Sequence, residues 1–400
     1  MGTLHADLVR GDEVFSFSYD PKWLKSADAM LLDPDLGFYE GSQYLPNTKR
    51  ANFGVFLDSS PDRWGRVLMR RRQAMLTKGL KPAKKMVESD FLLGVHDAQR
   101  MGGLRFQTEE GGAFLSDDEA IATPPWTSLR ELEAVSWRYQ KEDFDGTNDL
   151  RWLGLLLAPG SSLGGARPKA GVRDLDGDLW IAKFPGRSDE RDMGAWEFLT
   201  WHLARDAGLN VGEAKILDLG TGHRTFATKR FDRIPGTKGN GRIHFASAMT
   251  LLGRSDGDDG DSPPSYLDLA ELISSQGESP SRDLPELWSR IVFSILVSNT
   301  DDHLRNHGFV LTPHGWRLSP AYDINQDPDG RGLSLNIDEN DNRLDLDLAL
   351  SVCPHFRLIQ AAGERRLAEI KAAVAGWRDR AVALGISRSE VQLVEPAFAV

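Results

Sequence analysis

Asn299-Thr300-Asp301-Asp302-His303-Leu304-Arg305-Asn306-His307-Gly308 packs two carboxylates, two imidazoles and two carboxamides into one short segment. It follows an apolar run, Leu287 to Val297, whose spacing predicts a helix. Polar groups at this density cannot share a core without partners, so the segment reads as a turn that lines a site. Asp301 and Asn306 have the separation of two groups in a phosphoryl-transfer loop: a carboxylate that takes the proton of the attacking hydroxyl, and a carboxamide that holds magnesium. A second metal carboxylate should then follow on a strand or turn. Asp323, in Leu318-Ser319-Pro320-Ala321-Tyr322-Asp323-Ile324, has that place.

Upstream lies Gly160-Ser161-Ser162-Leu163-Gly164-Gly165-Ala166-Arg167-Pro168-Lys169-Ala170. Small residues such as Gly164 and Gly165 let backbone amides approach an anion closely. Taken alone, the stretch fits a glycine-rich surface turn equally well. Its context adds meaning. Asp176-Gly177 reads as a hairpin turn, and the second strand, Leu179 to Phe184, presents Lys183 just before Pro185. A lysine closing an apolar strand after a glycine loop is where a kinase places the cation for nucleotide phosphates, although a lone lysine there would be a solvated strand end. Trp196, Leu199 and Leu203 predict a helix over Asp189 to Ala207, stopped by Gly208, with Glu197 at the edge of its apolar face. Glu197 is either a surface residue or the group that holds Lys183. Leu209 to Arg233 predicts a further hairpin, turning near Gly220-Thr221-Gly222, which completes a sheet-containing nucleotide lobe.

Residues up to about 105 read as a small α+β unit. Phe15, Phe17 and Tyr19 alternate along a strand that ends at Asp20-Pro21, and Ser60-Pro61 predicts an N-cap followed by a first-turn proline. The helix it would open carries Trp64, Val67 and Leu68 on one side and Arg63, Arg66, Arg70, Arg71 and Arg72 on the other. That basic side is either a solvated face or a surface for an acidic partner. Gly102-Gly103 and Pro124-Pro125 bracket a polar connection, after which Ser128 and Glu131 have capping-box spacing for a helix with Leu129, Leu132 and Val135 inward. Beyond Tyr266 the pattern is helical, broken by the polar segment and by a hairpin across Pro313-His314-Gly315, and resumed from Leu358 to Leu384. The expected division is 1–105, a connection over 106–150, an ATP-binding lobe over 151–250 and a helical catalytic lobe over 251–400.

Three other chemistries deserve weighing. His303 and His307 have the spacing of a zinc pair on a helix, but Gly308 and the following apolar strand favour a loop, and magnesium suits the oxygens of Asn306 and Asp323 better. No serine sits in a nucleophile-elbow frame; Ser162, beside a bound γ-phosphate, would be either a phosphate acceptor or a hydroxyl satisfying loop amides. Ser255 to Pro264 is acidic and glycine-bearing, and reads as a solvated loop rather than a calcium site.

The composition agrees with a globular enzyme. The chain has 400 residues, 40% of them hydrophobic, and a net charge of −11 that argues against a stand-alone nucleic-acid or membrane-surface binder. One cysteine, Cys353, leaves no disulfide framework and points to a reduced cytoplasm. No apolar run has transmembrane length, and the acids within Met1 to Ser18 are unlike a signal peptide.

Taken together, these motifs resemble the HipA family of serine/threonine kinase toxins from bacterial toxin–antitoxin modules. The resemblance is carried by the Phe15-to-Arg72 region, the Ser161-to-Ala170 loop, Ile181-Ala182-Lys183-Phe184-Pro185, Arg230-Phe231-Asp232-Arg233, Asp301 to Asn306, and Tyr322-Asp323. It implies an α+β, protein-kinase-like two-lobed fold with a small N-terminal subdomain. It also implies Asp301 as catalytic base, Asn306 and Asp323 as magnesium ligands, and Ser161, Ser162, Gly164, Gly165, Lys183, Glu197 and His303 around ATP. Ser162 aligns with the loop serine that the family autophosphorylates, and Ser161 is its neighbour. The partners implied are a small helix-turn-helix DNA-binding antitoxin, through which alone DNA is reached, and a protein substrate such as an aminoacyl-tRNA synthetase, whose modification would cause growth arrest and persistence. This sequence has Ala166-Arg167-Pro168-Lys169 where the best-known form has Ala-Gln-Glu-Lys, and Arg305 where lysine is common. The expected function is therefore an ATP- and magnesium-dependent serine/threonine kinase. Two rivals stand beside it: a catalytically idle nucleotide-binding module, and a kinase for a small molecule or lipid, which the Asp-x-His-x-x-Asn loop alone would permit.

Overall fold

The computed structural model describes residues 1–27, 29–46, 49–77, 85–140, 153, 156, 167–237, 241–255 and 263–400. The glycine loop, with Ser161, Ser162, Gly164 and Gly165, and most of the acidic 255–264 loop lie outside the described residues.

The architecture is α+β and two-lobed. An N-terminal antiparallel sheet has the order β1 (Gly2–Val9), β2 (Asp12–Tyr19), β3 (Gln43–Tyr44). Phe15, Phe17 and Tyr19 are all buried in its core, as their alternation predicts. A second sheet is antiparallel throughout, in the order β4-β5-β7-β6, with β4 at Lys169–Arg173, β5 at Leu179–Lys183, β6 at Ala214–Leu217 and β7 at Thr225–Lys229. The β4–β5 turn uses Gly177 at φ +87, a left-handed conformation that costs glycine nothing. Period-two alternation splits the faces of β5. Trp180 and Ala182 join Ala170, Val172 and Ala227 in an outer core, whereas Ile181 and Lys183 line the opposite, cleft face.

The outer core is closed by helices Arg63–Leu76 and Leu129–Tyr139, so an N-terminal helix shares its packing with this second sheet. Asp62, not Ser60, caps the first of these, accepting from Gly65 N at 2.7 Å. Ser60 instead donates back to Phe56 O at 2.9 Å, so Pro61 precedes the helix and the start moves two residues on. Ser128 makes no side-chain cap either. A 3₁₀ turn, Trp126–Ser128, precedes its helix and leaves that residue with helical backbone angles.

Helix Met193–Asp206, capped by Asp192 and stopped at Gly208, connects the lobes, and Trp196, Leu199 and Leu203 enter the large C-terminal core. Its Gly194 lies so close to β7 that a Cβ would stand 2.1 Å from Arg224 O. The C-terminal core is built on helices Tyr266–Gln276 and Pro280–Leu296. A third antiparallel sheet, β8 (Phe245–Ser247), β9 (Gly308–Thr312) and β10 (Gly315–Leu318), lies beside it in the order β10-β9-β8. The predicted run from Leu358 to Leu384 is two helices, Gln360–Ala375 and Trp377–Ala383, divided at Gly376.

A buried ionic cluster ties the N-terminal region to the segment after β7. Asp232 is completely buried and accepts from Arg230 Nη2 at 2.6 Å, Arg233 Nη1 at 2.5 Å and Gly102 N at 2.8 Å. The two guanidiniums in turn donate to the carbonyls of Gln99 and Arg100. Burial alone would raise the Asp232 pKa, but Arg230 and Arg233 outweigh it and hold the carboxylate at about 2, while burial pushes Arg233 down to about 9. The sign follows from the depressed acid. Stability contributed by Asp232 is present above its ordinary pKa near 4 and is lost as pH falls toward about 2. Asp232→Ala strands two buried cations, so urea unfolding at neutral pH should show a loss of about 3–5 kcal/mol. The gap from wild type should narrow below pH 4.

Candidate active site

The site forms where β5, helix Met193–Asp206, the segment after helix Pro280–Leu296 and the turn after β10 meet. Lys183 Nζ lies 2.5 Å from Glu197 Oε1 and 2.7 Å from Asp323 Oδ1, and all three side chains are largely withdrawn from solvent. Burial opposes the Lys183 charge, but Asp323 and Glu197 outweigh it and keep the ammonium above its ordinary pKa. The two carboxylates diverge. Burial raises Glu197 against the pull of Lys183, whereas Lys183 overcomes burial at Asp323 and lowers it. One cation therefore stands between two acids.

Asp323 has φ +56, a left-handed backbone that a non-glycine residue adopts only where its surroundings fix it. Those surroundings are visible. Tyr322, just before it, donates its hydroxyl to Arg305 O at 2.7 Å and stacks on Phe231, and Asn325 Nδ2 reaches Asp323 Oδ1 at 3.2 Å. Among the described residues the hydrogen bonds to Asp323 fall on Oδ1, which leaves Oδ2 for a cation.

The polar segment is anchored by Asp302, whose role the sequence analysis did not anticipate. Its buried carboxylate accepts from the Tyr266 hydroxyl and from Ser294 Oγ, and lies 2.9 Å from His307 Nε2. Burial would raise Asp302, but His307 and the hydroxyls outweigh it and lower its pKa. Asn299 closes the other end, accepting Asn325 N at 3.1 Å and so tying this segment to the Asp323 turn. With its backbone held, the segment presents the Asp301 side chain to solvent, 88% exposed. Asn306 is buried and donates Nδ2 to Asp301 O at 2.8 Å, so its Oδ1 is the atom left for a cation.

Of the residues singled out in the sequence, Lys183, Glu197 and Asp323 meet at one cleft, and Asn306 bonds to Asp301 in the neighbouring segment, which Asn299 and Arg305 O tie to the Asp323 turn. His303 stands 3.8 Å from Asp301, on the opposite side from His307, so the two imidazoles attend different carboxylates and do not form a zinc pair. Among the described residues no three His, Cys, Asp or Glu side chains converge on a common centre. Two oxygens, Asn306 Oδ1 and Asp323 Oδ2, suit magnesium, which takes one or two protein ligands and completes its shell from phosphates and water. The sequence also gave no hint that Lys169 on β4, paired across from Lys183, would reach Asp62 at 2.5 Å in a buried ion pair. The only local signal was the Asp62-x-x-Gly65 cap spacing.

Beside Lys183 lies a cleft walled by Ile181, Phe226, Phe231, Tyr322 and Ile324. An apolar slot with a cation and a carboxylate at its inner end has the form of a nucleotide pocket.

Fold and site together define a protein-kinase-like protein. The HipA-like C-terminal domain is matched over residues 161–381, more than half of the chain, and the chain belongs to that family. It is 28% identical over 266 residues to a Sinorhizobium fredii protein named "Putative kinase Y4dM", and 29% identical over 146 residues to the serine/threonine-protein kinase toxin HipA of Shewanella oneidensis. These stretches cover 62% and 32% of this chain, and 56% and 33% of the relatives' lengths. The chain thus spans about half, or less, of the curated relatives it matches. The solved Shewanella oneidensis HipA, in complex with HipB and operator DNA, superposes with a TM-score of 0.65 at 19% identity, covering 99% of this chain and 92% of that one. The protein-kinase-like fold expected from the motifs is therefore present.

Asp302→Ala should leave the Tyr266 and Ser294 hydroxyls and His307 buried without their acceptor. Urea unfolding should show a loss of about 3 kcal/mol or more. Because the Asp302 pKa is lowered, the contribution it makes is present above the ordinary carboxylate range and is lost in acid.

Proposed function

We propose that the chain is an ATP-dependent serine/threonine protein kinase that acts as the toxin of a toxin–antitoxin pair. The observation that carries this reading is the Lys183–Glu197–Asp323 cluster at an apolar cleft, with Asp301 and Asn306 on a segment tied to the Asp323 turn. In this reading the adenine lies against Ile181 and Phe231, and Lys183 pairs with the phosphates while Glu197 fixes its rotamer. Asn306 Oδ1 and Asp323 would hold magnesium, which when bound neutralises phosphate charge and orients the γ-phosphoryl group. Asp301 accepts the proton as the substrate hydroxyl attacks. Although the side chain itself is largely exposed, the protein packed around the segment withdraws enough water to raise its pKa against the lowering effect of His303, and the nearby carboxylates of Asp323 and Asp302 add to the rise.

Further proposals extend the family resemblance. Ser162, or neighbouring Ser161, is autophosphorylated; a phosphate there adds about two negative charges beside the ATP phosphates and opposes nucleotide binding. The solved relative is seen with HipB and operator DNA, which supports a small DNA-binding antitoxin as partner here. The substrate is a translation component, of which an aminoacyl-tRNA synthetase is one, and the compartment is the cytoplasm. Among the described residues no helix is long and apolar enough to cross a membrane.

The test is mass spectrometry after incubation with magnesium and ATP, reading the peptide from Trp152 to Lys169. Phosphate on Ser161 or Ser162 in wild type and none in Asp301→Ala, which should still bind ATP, is the expected result. ATP binding without transfer to this peptide or to any added protein would favour an idle module, and no ATP binding would overturn the kinase reading. In steady-state assays the acid limb of the kcat profile should titrate above the ordinary aspartate pKa, because Asp301 must be ionised to act.

A further inference from the structure

The N-terminal sheet has two unlike edges. β3 is only two residues long, which blunts its side, whereas β1 runs in unbroken register with β2 from Gly2↔Tyr19 to Val9↔Asp12. Among the described residues no strand or bridge covers the outer side of β1. Asp20 N donates to Met1 O at 2.9 Å, which sets the phase of the ladder. Thr3, His5 and Asp7 turn their backbone groups toward β2, and Leu4, Ala6 and Leu8 turn theirs outward. The edge has none of the usual deterrents, since β1 contains no proline, lysine or bulge. Its side chains are open as well. Leu4, Ala6 and Leu8 lie on the core face, opposite Phe17, Phe15 and Glu13, and Leu8 is 70% exposed. His5 and Asp7 stand exposed on the other face.

We propose that β1 pairs antiparallel with β1 of a second copy of the chain, about a two-fold axis at Ala6, joining two three-stranded sheets into one of six strands. The strand is self-complementary about that residue. Centred there, Leu4 faces the partner's Leu8, Ala6 faces the partner's Ala6, and His5 faces the partner's Asp7. In the first two pairs the outward backbone groups exchange hydrogen bonds, and each exposed Leu8 is covered by a leucine packed against the other N-terminal core. The third sets an imidazole N–H donor against a carboxylate, twice by symmetry. Other two-folds that keep the same phase fail on these residues. One residue to either side places His5 against His5 or Asp7 against Asp7, and two residues to either side removes the His5–Asp7 match. Self-complementarity therefore selects a second copy over an unrelated strand, which would need only the backbone. The inference is independent of the kinase reading.

The experiment is analytical ultracentrifugation of the full chain over about a hundredfold range of concentration, where a monomer–dimer equilibrium is expected. His5→Asp and Asp7→His, both at exposed positions, should each weaken the dimer at least fivefold, and the double variant His5→Asp/Asp7→His should restore it to within twofold. Thermal unfolding checks that each variant is folded. Cross-linking reads the register. The one native cysteine, Cys353, is buried, and Ala6→Cys places two thiols on strands about 5.5 Å apart, within disulfide reach, so mild oxidation should give a covalent dimer. Thr3→Cys, exposed on the same strand but roughly 20 Å from its own counterpart, should not. A chain that is monomeric throughout, a dimer indifferent to the single changes or not regained in the folded double variant, or cross-linking at Thr3 as readily as at Ala6, overturns the proposal.

Discussion

The site depends on one ammonium held between two carboxylates that the chain brings from three separate places. Lys183 closes β5, Glu197 projects from the helix that follows it, and Asp323 lies 140 residues after Lys183, in the turn after β10. Each element has other reasons to be where it is. Ile181 and Lys183 share a sheet face because alternation assigns Trp180 and Ala182 to the opposite core. Glu197 falls one residue after the buried Trp196, at the edge of the face that carries that helix into the C-terminal core. The ion cluster thus converts the relative position of the two lobes into an electrostatic quantity: separate them and a buried carboxylate loses its counter-charge.

The N-terminal region belongs to the same mechanical system. Its Asp62 meets Lys169, the strand neighbour of Lys183, and its backbone carbonyls at Gln99 and Arg100 receive the guanidiniums that flank Asp232. Asp58 of the same region accepts both Ser247 N and Ser247 Oγ on β8, and burial pushes that acid up to about 6. Polar anchors therefore run from this region to both lobes. An interface made this way is specific in register, because an unpaired member of any of these groups is costly, whereas sliding apolar faces are not.

The legible parts of the sequence were those that local spacing determines. The Asp301-x-x-x-x-Asn306 separation survives as a direct bond from Asn306 Nδ2 to Asp301 O, and the strand-ending lysine and the helix glutamate do meet. Ser60 and Ser128 failed as caps for a local reason. Each lies near another route for its groups, Asp62 at the first helix and a 3₁₀ turn at the second, and spacing alone does not rank such competitors. Asp302 was unreadable for the opposite reason. Its partners Tyr266 and Ser294 lie on two different helices, so its role exists only after those helices pack. The same holds for Asp62 with Lys169.

Under the proposed kinase reading, the charge balance of the cluster bears on what the site would bind. Lys183 satisfies Asp323 well enough to lower its pKa but leaves Glu197 raised, so the three groups share a deficit of positive charge. Bringing nucleotide phosphates to Lys183 would deepen that deficit, because the ammonium would then face anions on every side. In the proposed reaction a divalent cation at the remaining oxygens of Asp323 and Asn306 would offset it, and phosphate entry and metal entry would then be coupled. The left-handed backbone at Asp323 shapes the same corner of the cleft. It directs one carboxylate toward both the lysine and the cleft, and Tyr322, pinned to Arg305 O, keeps the strained turn from relaxing away from the segment that carries Asp301 and Asn306.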